Sequence, residues 1–114
     1  MGYWVYLVRC GDDSLYAGAT IDLVRRLHQH NSSQGAKYTA SRLPVSLAQA
    51  WEIQTWGDAL RLEIVLKKCS KKMKEGLLLE PQRIRALAHK HNLDFGISIY
   101  VREERREHDA DSAN

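Results

Sequence analysis

The chain has 114 residues, 44% apolar and 27% charged, with a formal charge of +3. That size and make-up fit one globular domain with a single modest core, and they do not fit a disordered or fibrous chain. Two cysteines without CxxC spacing, no secretory h-region and no long apolar run argue against a zinc ribbon, a disulfide framework or a membrane span; they predict a soluble, intracellular, cytoplasmic protein.

Residues 3–10, YWVYLVRC, form a near-continuous apolar run that predicts a strand covered on both faces. Residues 11–14 carry turn chemistry, with Gly11 able to take positive φ, and residues 15–20 predict the second strand of a hairpin. Asp22 is placed as N-cap of a helix running to about residue 30. Residues 31–44 read as a polar, basic loop punctuated by Gly35 and Pro44. A third strand is expected over roughly residues 45–55. Gly57-Asp58 opens a helix to about residue 68, Ser70 caps another ending near Pro81, and residues 82–91 predict a further helix. Phe95, Ile97, Ile99 and Val101 alternate with Gly96, Ser98 and Tyr100, a strand signal. Residues 102–114 are charged and poor in apolar side chains, as expected of a flexible tail.

Charge is spread unevenly. Residues 1–80 hold 11 Lys/Arg against 8 Asp/Glu, whereas residues 81–114 hold 6 of each. Lys37, Arg42, Lys67, Lys68, Lys71, Lys72 and Lys74 suit either a solvated lysine face or a footprint for a phosphate backbone.

Helical periodicity isolates three polar residues near apolar surfaces. Arg26 and His30, at i and i+4, fall on the shoulder of a stripe of Leu23, Val24 and Leu27. Glu63 and Lys67 fall inside an arc of Ala59, Leu60, Leu62, Ile64, Val65 and Leu66. A carboxylate there must be paired, metal-bound or open to a cleft, because stranding it is costly; the plainest arrangement is an i,i+4 pair with Lys67, worth about 0.3–0.5 kcal/mol. Tyr6 and Tyr16 are candidates for core residues with satisfied hydroxyls. They share a sheet face only if the hairpin pairs residues whose numbers sum to an even value, which requires an odd loop such as Gly11-Asp12-Asp13, or a bulge.

In order and spacing these parts resemble the GIY-YIG nuclease domain. Val5-Tyr6-Leu7 is similar to the GIY element and Tyr16-Ala17-Gly18 to the YIG element. Arg26, ten residues after Tyr16, stands where the family has its catalytic arginine, and His30 where many members have a histidine. Glu63, in Leu60-Arg61-Leu62-Glu63, resembles the metal-binding glutamate. Gly35-Ala36-Lys37-Tyr38-Thr39 and Lys67-Lys68 resemble the small stand-alone members. Leu7, Ala17 and Ala19 depart from the residues often found at their positions; excision-repair relatives carry a lysine after the second motif, where this chain has Ala19.

The resemblance covers roughly residues 3–80 and implies an α/β (α+β) nuclease-like domain over residues 1–80, a three-stranded antiparallel sheet flanked by helices. Residues 81–101 then form an extension with a possible extra strand, and residues 102–114 the tail. It further implies a DNA endonuclease of weak sequence specificity that uses Mg²⁺ or Mn²⁺ on Glu63, of a kind employed in repair or recombination. Arg26 would offset phosphorane charge, and Tyr16, supported by Tyr6, would act on the attacking water, with His30 as a competing base. Lys37, Tyr38, Arg42, Lys67, Lys68, Lys71, Lys72 and Lys74 would contact DNA. The alternatives are a nucleic-acid binding module with little catalysis, or a protein adaptor working through residues 95–101. A monomer is expected, with self-association through that segment as an option.

Overall fold

A computed structural model describes residues 2–32 and 35–101. In chain order they form β1 (Tyr3–Arg9), β2 (Leu15–Thr20), α1 (Leu23–Asn31), α2 (Lys37–Ala40), β3 (Ser46–Ile53), α3 (Trp56–Lys68) and α4 (Lys71–Leu79). A 3₁₀ turn over Pro81–Arg83 leads into α5 (Ile84–Lys90), and β4 (Ile97–Ile99) completes the set. The strands make one antiparallel sheet in the order β2-β1-β3-β4, so the C-terminal segment adds a fourth strand to the three expected.

The hairpin sets the face of both tyrosines. Tyr6 pairs with Gly18 and Val8 with Tyr16, so both rings project from the same side of the sheet. A three-residue loop produces this register: the Cys10 N–H donates to the Ser14 carbonyl, and the Asp13 N–H to the Cys10 carbonyl. The left-handed residue that such a loop needs is Asp13 (φ 70°), not the expected Gly11, which has no positive φ. Gly11 is required for a different reason. Its N–H donates to the Arg42 carbonyl, and a Cβ there would lie 2.5 Å from the Leu43 carbonyl oxygen.

Each sheet face carries its own core. Val5, Leu7, Ala17, Trp51 and Ile53 meet Ala59, Leu62 and Leu66 of α3, Leu77 of α4, and Ile84, Leu87 and Ala88 of α5. On the other face Tyr6, Val8 and Ala50 meet Leu23 of α1 together with Cys10 and Val45. Asn31 ties α1 to the start of β3, its amide donating to the Val45 carbonyl at 2.9 Å and its carbonyl accepting from the Val45 N–H at 2.8 Å. Three helices start on side-chain caps: Asp22 accepts from the Arg25 N–H, Thr55 from the Asp58 N–H and Ser70 from the Met73 N–H.

Several expectations need correction. The stretch read as a loop contains α2. Val24 is 67% exposed, so the buried stripe of α1 runs through Leu23 and His30 instead. The apolar arc of α3 is narrower than its composition suggests, because Leu60 and Ile64 (54%) face outward. The last strand shrinks to three residues, and Val101 is 76% exposed. The tail expected over residues 102–114 lies outside the described residues. Among the described residues, no helix is long and apolar enough to cross a membrane.

Candidate active site

β2 is an outer strand, with α1 packed on one face of the sheet and α3 on the other, and residues of both helices line one cavity beside it. The residues singled out from the sequence gather at this edge. Tyr6 and His30 are both buried, and the Tyr6 hydroxyl lies 2.9 Å from His30 Nε2. His30 Nδ1 lies 2.8 Å from the Thr39 hydroxyl oxygen, and that hydroxyl donates to the Ala36 carbonyl at 3.0 Å. The Thr39 hydrogen being used there, its oxygen accepts from the His30 Nδ1–H. Nε2 is then the lone-pair nitrogen, and Tyr6 donates to it. The relay runs from Tyr6 through His30 and Thr39 to the backbone of Ala36.

This relay sits in tight surroundings. A Cβ on Gly18 would overlap the Tyr6 hydroxyl, and one on Gly35 would overlap His30 Nδ1. Burial first, and the Arg26 charge second, pull the His30 pKa down to about 4, so the imidazole is neutral at neutral pH. Burial pushes the Tyr6 phenol above its ordinary value. A hydrogen bond and charge from Arg26 act against that rise, while Tyr16 and Glu63 add to it.

Tyr16 is half-buried at the opening. Its ring meets the edge of His30 at 5.8 Å and stacks on Tyr38 at 5.6 Å, with 23° between planes. The Arg42 guanidinium lies 3.9 Å from the Tyr38 ring centre, and Lys67 Nζ lies 5.2 Å from that of Tyr16. Lys67 Nζ is also 3.6 Å from Glu63, whose side chain is only 19% exposed. The Arg26 guanidinium donates to Gln29 at 3.1 Å.

Among the described residues, no three His, Cys, Asp or Glu side chains gather as a metal cage. A lone, partly exposed carboxylate suits a hard cation that keeps most of its waters, such as Mg²⁺, and it does not suit a fully protein-ligated ion. Glu63 fits that role, since its ion-pair partner Lys67 stands at 3.6 Å, longer than a direct hydrogen bond.

The basic residues divide by location. Lys67 and Tyr38 flank the Tyr16 ring, and Arg42 lies over Tyr38. Arg42 also pairs with Asp12 at 3.0 Å, and Lys71 pairs with Asp13 at 3.3 Å and Glu75 at 3.8 Å, which ties both cations to the hairpin or α4. Lys72 lines a groove between α4 and α5 with Leu79 and Leu87. Lys37 lies in α2 and Lys68 ends α3, exposed, while Lys74 lies in α4. Reading the sequence missed Thr39, Gln29 and the Ala36 carbonyl. The one signal for Thr39 was its place in Gly35-Ala36-Lys37-Tyr38-Thr39.

Known proteins resemble this chain over about two thirds of its length. The family model described as the GIY-YIG catalytic domain matches residues 2–76. The UPF0213 protein YazA of Bacillus subtilis (strain 168) is 43% identical over 81 residues, covering 71% of this chain and 81% of the relative. A UPF0213 protein of Streptococcus pneumoniae serotype 4 is 43% identical over 79 residues, covering 69% and 80% respectively. The solution NMR structure of the UPF0213 protein BH0048 from Bacillus halodurans is 40% identical, covers 68% of this chain and 83% of that one, and superposes with a TM-score of 0.45. The chain belongs to the GIY-YIG catalytic domain family, a nuclease superfamily, and its relatives are small UPF0213 proteins.

Proposed function

We propose that the chain is a divalent-metal-dependent DNA endonuclease of weak intrinsic sequence specificity. The observation that carries this reading is Lys67 standing close to both Tyr16 and Glu63 beside the Tyr6–His30–Thr39 relay, with Arg26 acting on the Tyr6 phenol. Glu63 would hold Mg²⁺ or Mn²⁺ through its carboxylate, and the ion would supply Lewis-acid polarisation of the scissile phosphate. Tyr16, acting in its phenolate form, would orient the attacking water and take up its proton as the new P–O bond forms and the bond to the leaving sugar oxygen breaks, the leaving oxygen being protonated from solvent. Arg26 offsets the charge that builds on the phosphorane. Tyr6 and His30 fix the floor on which Tyr16 packs. His30 is poorly suited to be the base, since both ring nitrogens are engaged and its basicity is low.

One cleavage panel tests this reading: single-stranded, duplex and branched DNA with Mg²⁺, Mn²⁺ or EDTA, using wild type, Glu63→Ala and Arg26→Ala. Wild type should cut only with metal, Glu63→Ala should be inactive yet folded by circular dichroism, and Arg26→Ala should turn over roughly 10²-fold more slowly. Full activity in Glu63→Ala would remove its role as metal ligand.

A further inference from the structure

Where β2 ends and α1 begins, a second feature adjoins the reacting centre. Ala19, Ile21, Arg25, Arg26 and Trp56 line a cavity of about 350 Å³, within the size range of small-ligand clefts. Trp56 opens α3, whose first turn is held by the Thr55 cap, and its ring is braced by Tyr3 at 5.7 Å with 53° between planes. Even so, Trp56 is 38% exposed. Arg25 is exposed and makes no ion pair among the described residues. The Asp22 carboxylate, also at this cavity, already accepts from the Arg25 N–H as helix cap. Ala19 keeps the cavity open, since a long side chain at that position would fill it.

A braced indole, an unpaired guanidinium and room for a planar ring, all beside Arg26, match one chemical class. We propose that the cavity receives a nucleobase turned out of its stack, belonging to a nucleotide next to the scissile phosphate, with Trp56 as stacking surface and Arg25 holding the flanking phosphate. Stacking on an aromatic side chain tolerates any base, in keeping with weak sequence specificity, and it demands that the nucleotide be unpaired. Duplex DNA would first have to expel a base, whereas a single strand, a flap or a frayed end presents one at little cost. This inference rests on the endonuclease reading and narrows its substrate to nucleic acid unpaired at the cut.

Its test is binding in EDTA, which needs no catalysis. The full chain is titrated with a fluorescein-labelled oligothymidylate and with a blunt duplex of the same length. Trp56→Ala should weaken single-strand binding about 10-fold or more while sparing the duplex, and Trp56→Phe should retain most of the affinity. Arg25→Ala should lower the salt slope by about one contact and, lying on the surface, remains informative if Trp56→Ala fails to fold. Equal losses on both DNA forms, or no loss on either, would overturn the subsite. So would a concentration-dependent dimer of the wild type that Trp56→Ala abolishes, because Trp56 and Ile21 would then be a protein contact. If no DNA is cut under any metal condition, the endonuclease reading fails while single-strand selectivity through Trp56 still stands as a binding result. Normal cleavage by Trp56→Ala with unchanged single-strand affinity ends this inference and leaves the nuclease intact.

Discussion

His30 is neutral because of what encloses it. Tyr6, Tyr16 and Thr39 lie against the ring, Arg26 adds an unfavourable positive charge, and among the described residues no carboxylate partners it. Its unfolded pKa lies near the ordinary 6.5, its folded pKa near 4. Between these values the unfolded chain binds a proton that the folded chain refuses, so stability is full above about pH 6.5 and falls as the pH drops toward 4. The loss attached to this one ring reaches about 3 kcal/mol at pH 4, from ~1.4 kcal/mol per unit. Urea unfolding at pH 7 and near pH 4 should therefore show a drop for wild type that exceeds that of His30→Gln by about 2–3 kcal/mol. Equal drops would mean that the folded ring takes up protons normally. In the sequence His30 read as half-exposed, because the segment that covers it read as loop. α2 is a single turn of four residues, too short to show a 3.6-residue period, and Thr39 reaches back nine positions to make the bond.

Elements were more legible than side-chain environments. β2 follows from the turn chemistry that precedes it, and the need for an odd hairpin loop follows from asking both tyrosines to share a face. The width of the α3 apolar arc was not legible, since periodicity tells which side chains could be covered and only the neighbours decide which are. Leu62 and Leu66 are covered by the sheet, while Ile64 finds nothing above it. β4 shows the same division: its alternation announced a strand through Val101, but the ladder covers Trp51–Ile99, Glu52–Ser98 and Ile53–Ile97 and ends on one further bond, from the Tyr100 N–H to the Ala50 carbonyl at 3.0 Å. Ile97 is buried in the larger core at the edge remote from β2. Ile97→Ala should therefore cost about 2–4 kcal/mol in urea unfolding. Metal-dependent cleavage, measured well below the unfolding midpoint, should be unchanged. A near-neutral ΔΔG would show that β4 merely lies over the core, and a large fall in cleavage would show coupling between the two sheet edges.

Across the whole molecule, the modest net charge of +3 conceals how its cations are used. Arg42 and Lys71 are held by the acidic hairpin turn, through Asp12 and Asp13. Exposed pairs of this kind are worth about 0–1 kcal/mol, so a phosphate can displace the aspartates at little cost. The three lysines of α4 differ in direction. At ~100° per residue, Lys71 and Lys74 lie roughly 60° apart on the helix, and Lys72 about 160° from Lys74. Lys71 faces the hairpin, while Lys72 faces the groove toward α5. One duplex laid along the hairpin side can therefore touch Lys71 and Lys74 without touching Lys72. Replacing all three by Ala should flatten the slope of log K against log salt by about two contacts' worth, near 1.8 on B-DNA, with affinity falling alike for all sequences. Lys72→Ala alone should leave the slope where it was. A loss of three full contacts would require the DNA to wrap α4, and an unaltered slope would return all three lysines to an ordinary solvated face.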